Sequence, residues 1–282
     1  MEIILAVASA LLFAFGTVLQ QRAGISESSD GGHAGLVLRL ARRPVWLAGI
    51  LADGLGFVAQ AAALASGRLA VVQPVLVFSV VFAVPLGVRL SGQRVNRTEI
   101  GAAVLVVVAL IAFLSVANPS GGRTDAPWHA WVIAGVVAAV VCVPLLVIGR
   151  RGHDARRAAM FGTAAGVLFA LCAALTKAVV DGLGIGLVHV LTSWEPYALV
   201  TVGYASMTVN QLALNTGALA ATMATSTSAD PIGSVLLGLL LFHESLQLSG
   251  LRTVGIAVVL ALALLGMTVL ARSQAQIAQA AP

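Results

Sequence analysis

Asp230 stands mid-way along a long apolar run and is followed at once by Pro231. Proline carries no amide hydrogen and disfavours helix at the residue before it. A carboxylate therefore adjoins a backbone carbonyl that has lost its donor, with Thr222, Thr225, Ser226, Thr227 and Ser228 close behind. Such a set binds a proton, a cation or a substrate amine; the same set can also simply brace a kink. Asp53 and Gln60 lie seven positions apart, on roughly one face of a helix. Gln73 adjoins Pro74, and Asn210, Gln211 and Asn215 form an amide cluster. Lys177, the single lysine, stands one helical turn before Asp181, a spacing that allows ion pairing, while a lysine near a span end can also snorkel to lipid headgroups. Gln20 and Gln21 close the first apolar run. In hydrocarbon each of these groups is costly, so each is expected to face a bundle interior or a water-filled cavity.

The elements that must carry them are membrane helices. Hydrophobic residues make up 59% of the 282 residues and charged residues 10%, with a mean hydropathy of +1.00. That leaves too little charge to cover a soluble surface, so lipid must be the main solvent. Nine spans are expected, at about 3–21, 45–64, 69–88, 100–117, 129–149, 158–178, 196–215, 217–242 and 250–271. Each is helical because lipid leaves backbone groups no partner outside the segment. The first lacks a basic leader and is read as a retained span. The joints at 24–33, 118–127 and 152–157 are polar and turn-rich, and the tail 273–282 is a frayed cytoplasmic end.

Twelve of the fifteen arginines fall in alternate joints or at the C-terminus, and only Arg68, Arg123 and Arg252 lie opposite. This is the positive-inside pattern. It predicts a plasma-membrane protein with an external N-terminus and a cytoplasmic C-terminus. The sequence pI near 10.2 thus reports topology and implies no nucleic-acid partner. Cys142 and Cys172 lie inside spans as apolar packing residues. The five histidines form no metal pair, and there is no nucleophile elbow or P-loop. No metal, cofactor or enzymatic reaction is expected.

Leu11–Gln21 (LLFAFGTVLQQ) and Val167–Lys177 (VLFALCAALTK) match 156 positions apart, with four of eleven residues identical. Gly101–Ser115 pairs with Gly255–Val269, and Gln60 with Gln211, in the same order. The unit is therefore helices 1–4 repeated as helices 6–9, with helix 5 between them. The division is 1–150 for the first repeat plus helix 5 and 151–272 for the second. An odd number of intervening spans inserts the two halves upside down to each other, the arrangement that suits alternating access.

The second half resembles the EamA-type repeat of the drug/metabolite transporter superfamily. The resemblance rests on Ala213-Leu214-Asn215-Thr216-Gly217-Ala218-Leu219, Asp230-Pro231, Gly238 to Glu244 and Gly255. In the first half, Gly67-Arg68-Leu69-Ala70, Pro74 and Gly101 fit. Gln93 stands near where that half would carry its glutamate, so no role is assigned to Glu244. Nine spans with Leu19-Gln20-Gln21 ending the first are also similar to the magnesium-transporter-like (NIPA-like) branch.

The resemblance implies a transporter of a small polar or amphipathic solute, with a proton as one coupling ion it allows. Asp53 and Asp230 would carry the proton or cation. Gln60, Gln73, Asn210, Gln211, Asn215 and Lys177 would complete the binding of substrate or ion, and Pro74 and Pro231 would open their helices. A divalent-cation transporter using the same carboxylates is the alternative; a lipid-handling or scaffold subunit of an envelope-assembly complex is a second. Partners are the solute or cation and the bilayer, and the reading leaves room for a homodimer.

Overall fold

The computed structural model describes residues 1–25, 42–91, 97–117, 120–122, 126–152, 154–216, 218–245 and 250–280. The joint residues 26–41, 118–119, 123–125 and 153, together with Gln93 and Gly217, lie outside them. Among the described residues the regular structure is helical apart from one two-stranded bridge. In order come α1 (Glu2–Ile25), α2 (Pro44–Ser66), α3 (Leu69–Leu76), α4 (Phe78–Ser91), α5 (Arg97–Ala117) and β1 (Ser120–Gly121). Then follow α6 (Trp128–Gly149), α7 (Asp154–Leu183), α8 (Leu187–Thr192), α9 (Glu195–Leu214), α10 (Leu219–Leu241), β2 (Glu244–Ser245) and α11 (Leu251–Ala280).

Seven spans among the described residues are long and apolar enough to cross a membrane: α1, α2, α3 with α4, α5, α6, α7 and α10. The protein is an all-α polytopic membrane protein. The regions expected as the seventh and ninth spans are also helices. However, α9, though continuous, carries the polar residues Thr201, Ser206, Thr208, Asn210 and Gln211, and the apolar part of α11 is only Thr253–Val269. The frayed tail is corrected as well, since α11 continues to Ala280. Large apolar side chains such as Val104, Val108 and Ile111 point outward from α5, as lipid contact requires.

Small residues set the closest helix contacts. Ser9 Oγ donates to the Gly56 carbonyl at 2.7 Å where α1 meets α2. Gly16 and Gly49 face each other on the same seam. On α7, Gly162 and Gly166 lie against the backbone of α10, and Ala170 opposes Gly233. Without a hydrophobic force between helices in lipid, such close backbone approach supplies the packing energy. Besides these pairs, α1 packs on α4, α7 on α9 and α6, α5 on α11, and α10 on α3 and α11.

The two prolines behave differently. Pro74 has no amide to offer Ala70, and the helix stops two residues later: Val77 turns, its N–H reaching back to the Pro74 carbonyl at 3.3 Å. Pro74 itself lies within α3, and the α3–α4 break falls after it, at Val77. At Pro231 the expected opening is corrected, because α10 runs unbroken from Leu219 to Leu241. The glycine seam with α7 holds both sides of that proline in line.

Candidate functional site

The most constrained polar site surrounds the turn between α2 and α3 (Gly67–Arg68). A helix leaves carbonyls unpaired at its C-terminus and amides unpaired at its N-terminus. Here both sets occur two residues apart. The carbonyls of Leu64 and Gly67 accept from Lys177 Nζ at 3.2 and 3.0 Å. The amides of Leu69 and Ala70 donate to Glu244 Oε1 and Oε2 at 2.7 and 2.8 Å. A cation thus closes the negative end of α2 and an anion the positive start of α3, matching each helix dipole. Both side chains come from the distant second half of the sequence.

Further contacts tie the turn down. Glu2 Oε2 accepts the Arg68 amide at 2.9 Å, and the Arg68 side chain donates from Nε to the Gly121 carbonyl at 3.1 Å. β1 pairs antiparallel with β2, Gly121 opposite Glu244, and Ser245 Oγ donates to the Ser120 carbonyl at 2.9 Å. Gly238 leaves the space Glu244 occupies, since a Cβ there would lie 2.5 Å from Oε2. His243, directly before Glu244, adopts φ +50°. That left-handed conformation is uncommon outside glycine, and it turns Glu244 inward. The ends of α2, α7 and α10 and the starts of α1 and α3 therefore gather at one mouth of the bundle.

Burial is the largest influence on Glu244 and raises its carboxyl above the ordinary 4.5; the amides of Ala70 and Leu69 and the cations Lys177 and Arg68 draw it partly back. Lys177 is also buried, lies 3.3 Å from Asp181 Oδ2, and sits over the Phe242 ring at 5.4 Å. A polar pocket of about 240 Å³ opens beside these groups, lined by Glu2, Gly67, Arg68, Lys177, Asp181 and Glu244 among others. Across Phe242 lies an apolar groove of about 370 Å³ between α6, α7 and α9. Its wall includes Trp131, which meets Trp194 edge-on at 5.5 Å and Phe242 at 6.1 Å.

The other expected site residues fall in separate places. Asp53 accepts a hydrogen bond from Gln20 Nε2 on the α1–α2 seam. Asp230 accepts from Ser234 Oγ at 3.2 Å on α10. Among the described residues no hydrogen bond joins the two carboxylates. Gln73 is buried in α3 with its Nε2 lacking a partner. Gln60 and Asn210 are half-buried, with no side-chain hydrogen bond among the described residues. Gln211, in the last turn of α9, and Asn215, just past its end, are exposed. Lys177 is drawn into the fold instead of reaching for headgroups. Glu2, Arg68 and Glu244 received no role from the sequence. The available signal was scarcity: eleven acids in the whole chain, with Glu2 and Glu244 at apolar-run ends beside the minority arginine face.

Fold and site together define a polytopic helical membrane protein in which buried charge from Lys177 and Glu244 holds the α2–α3 turn at one mouth. No family model matches the chain, and no solved structure matches it. It is 30% identical over 275 residues to the uncharacterized protein Cgl0250/cg0304 of Corynebacterium glutamicum, covering 97% of this chain and 95% of that one. The chain belongs to the family of that corynebacterial protein.

Proposed function

We propose that the protein is a secondary-active transporter of the drug/metabolite type, moving a small polar or amphipathic solute by alternating access between two inverted halves. The observation that carries this reading is the pairing of helices. In the first half α1 packs on α2 and on α4; in the second, α7 packs on α9 and on α10. The repeat expected from the sequence equates those same helices. The first half meets the second through α3 with α10 and α5 with α11. With α9 and α11 counted as spans, the total is nine. The arginine distribution then puts the Gly67–Arg68 mouth outside and the C-terminus in the cytoplasm of a plasma-membrane protein.

In this reading the double cap on the α2–α3 turn is the closed external gate. Asp230, in mid-helix with Ser234 as its hydrogen-bond partner, is the coupling carboxylate. Half-buried residues run from Thr225 to Pro231 around it, as expected of a helix beside a solute path. A stabilisation screen of purified protein across amines, sugars, nucleotides and divalent cations selects a solute. Uphill uptake of that solute into proteoliposomes then tests the role: Asp230→Asn abolishes accumulation while the protein stays folded. Full retained accumulation removes Asp230 from the mechanism.

A further inference from the structure

Three of the chain's four tryptophans, Trp128, Trp131 and Trp194, stand around a feature that the transport reading leaves unused, the groove of about 370 Å³ between α6, α7 and α9. Helix periodicity builds its walls. Trp128, Trp131 and Gly135 follow one another along one face of α6. Trp194 stands opposite, at the cap of α9, and meets Trp131 edge-on at 5.5 Å. Both helices pack on α7, and the space left between them is floored by Leu171 and Leu175 of α7, 8% and 2% exposed.

The medium points to the occupant. α6 and α7 are both long and apolar enough to cross the membrane. The rim of the groove, Trp128 at 73% and Val132 at 48% exposed, runs on into the exposed apolar side of α6 at Val136 and Val140. The groove is thus continuous with a surface that hydrocarbon already covers. Water finds too few polar partners there to fill it, and an empty groove forfeits the dispersion contacts of its walls. Its volume lies near the lower end of the about 300–1,000 Å³ of small-molecule sites, which suits one chain and not a whole lipid. The described lining is apolar except for the indole N–H groups, and no hydrogen bond among the described residues uses those donors. A tryptophan between an apolar wall and the membrane surface seeks an acceptor. A bare hydrocarbon chain offers none, whereas a phospholipid carries ester oxygens directly above its chains. We infer that the groove is a specific phospholipid site, in which one acyl chain lies between α6 and α9 on the floor of α7 and its ester oxygens accept from the indoles at the rim. The site needs only the spans and does not depend on transport.

Quenching of tryptophan fluorescence by a brominated lipid tests this. In the full-length protein carrying Trp46→Phe, the three groove tryptophans are the only ones left. The purified protein is titrated in non-ionic detergent with a phosphatidylcholine dibrominated midway along one chain. Quenching is expected to saturate at a low lipid fraction. Gly135→Leu puts a side chain into the groove, at a position where a Cβ meets nothing within 4 Å, so the helix keeps its packing. It should raise the lipid fraction for half-quenching about tenfold. Gly54→Leu, at an equally open position within α2, should leave that fraction unchanged. Quenching that grows in proportion to lipid without saturating would overturn the inference, because it is the contact any span makes with its lipid shell. So would an unaltered titration with Gly135→Leu, or the same shift with Gly54→Leu. A dimer that Gly135→Leu dissociates while quenching stays unaltered would give the groove to a second copy of the chain and overturn it equally.

Discussion

Lys177 and Glu244 carry opposite charges at one mouth, yet each faces a helix end and neither is the other's hydrogen-bond partner. A simple ion pair and a double cap therefore predict different outcomes on exchanging the charges. Glu244→Ala leaves two buried amides without acceptors, each worth about 1–3 kcal/mol. Part of that is returned because a buried charge is removed, so a net loss of about 2–4 kcal/mol follows. Lys177→Met strands the Asp181 carboxylate and two carbonyls, a loss of about 3–5 kcal/mol. In the exchange Lys177→Glu with Glu244→Lys, an anion meets the carbonyl end of α2 and a cation meets the amide end of α3. Both now oppose the helix dipoles. Unfolding of the purified protein can be followed by tryptophan fluorescence, since Trp131 contacts Phe242, the neighbour of Lys177. The exchanged protein should be at least as unstable as the two single losses combined. Recovery to within about 1 kcal/mol of wild type would refute the double cap and make the two residues a direct pair.

The raised carboxyl of Glu244 gives a pH test. A folded value above the unfolded one means that its contribution is full below 4.5 and is lost as pH rises through the folded value. Stability measured against pH should show Glu244→Gln gaining on wild type over that interval; parallel curves would contradict it. Gly166→Ala puts a Cβ 2.6 Å from the Ser226 carbonyl and 2.7 Å from Ala229 Cβ. The overpacking should cost about 1–3 kcal/mol in thermal unfolding, and an unchanged midpoint would show the α7–α10 seam to be loose. Trp131→Ala removes a buried ring held between Trp194 and Phe242, at a cost of about 3–5 kcal/mol read by chemical denaturation.

Helix placement was legible because apolar length is a local property of the chain. Five of the nine expected spans fall within one described helix each, three (196–215, 217–242 and 250–271) match one helix but overrun its ends, and the third span covers α3 and α4. What the sequence hid depends on contacts between distant positions. Glu244 lies 175 and 174 positions from the amides it caps, and Lys177 lies 113 and 110 from its carbonyls. No periodicity encodes such a pairing. The prolines teach the same lesson: Pro74 and Pro231 remove the same backbone bond, yet only the first is followed by a break, at Val77, while close contacts with α7 at Gly166 before it and at Gly233 after it hold the second. α7 continues past its expected end at 178 to Leu183 because Asp181 finds its counter-ion in Lys177, within the helix and inside the fold.

Alternating access can be tested most directly without knowing the solute. Thr227, half-buried on α10 one turn before Pro231, is replaced by cysteine in a background where Cys142 and Cys172 are alanine. A membrane-impermeant thiol reagent is then applied from each side of the bilayer. With the cap intact, labelling is expected from the cytoplasmic side; with Glu244→Ala added, the same position becomes reachable from outside. Labelling confined to one side in both proteins, or absent from both, would contradict a gate at the α2–α3 turn and the transport cycle built on it.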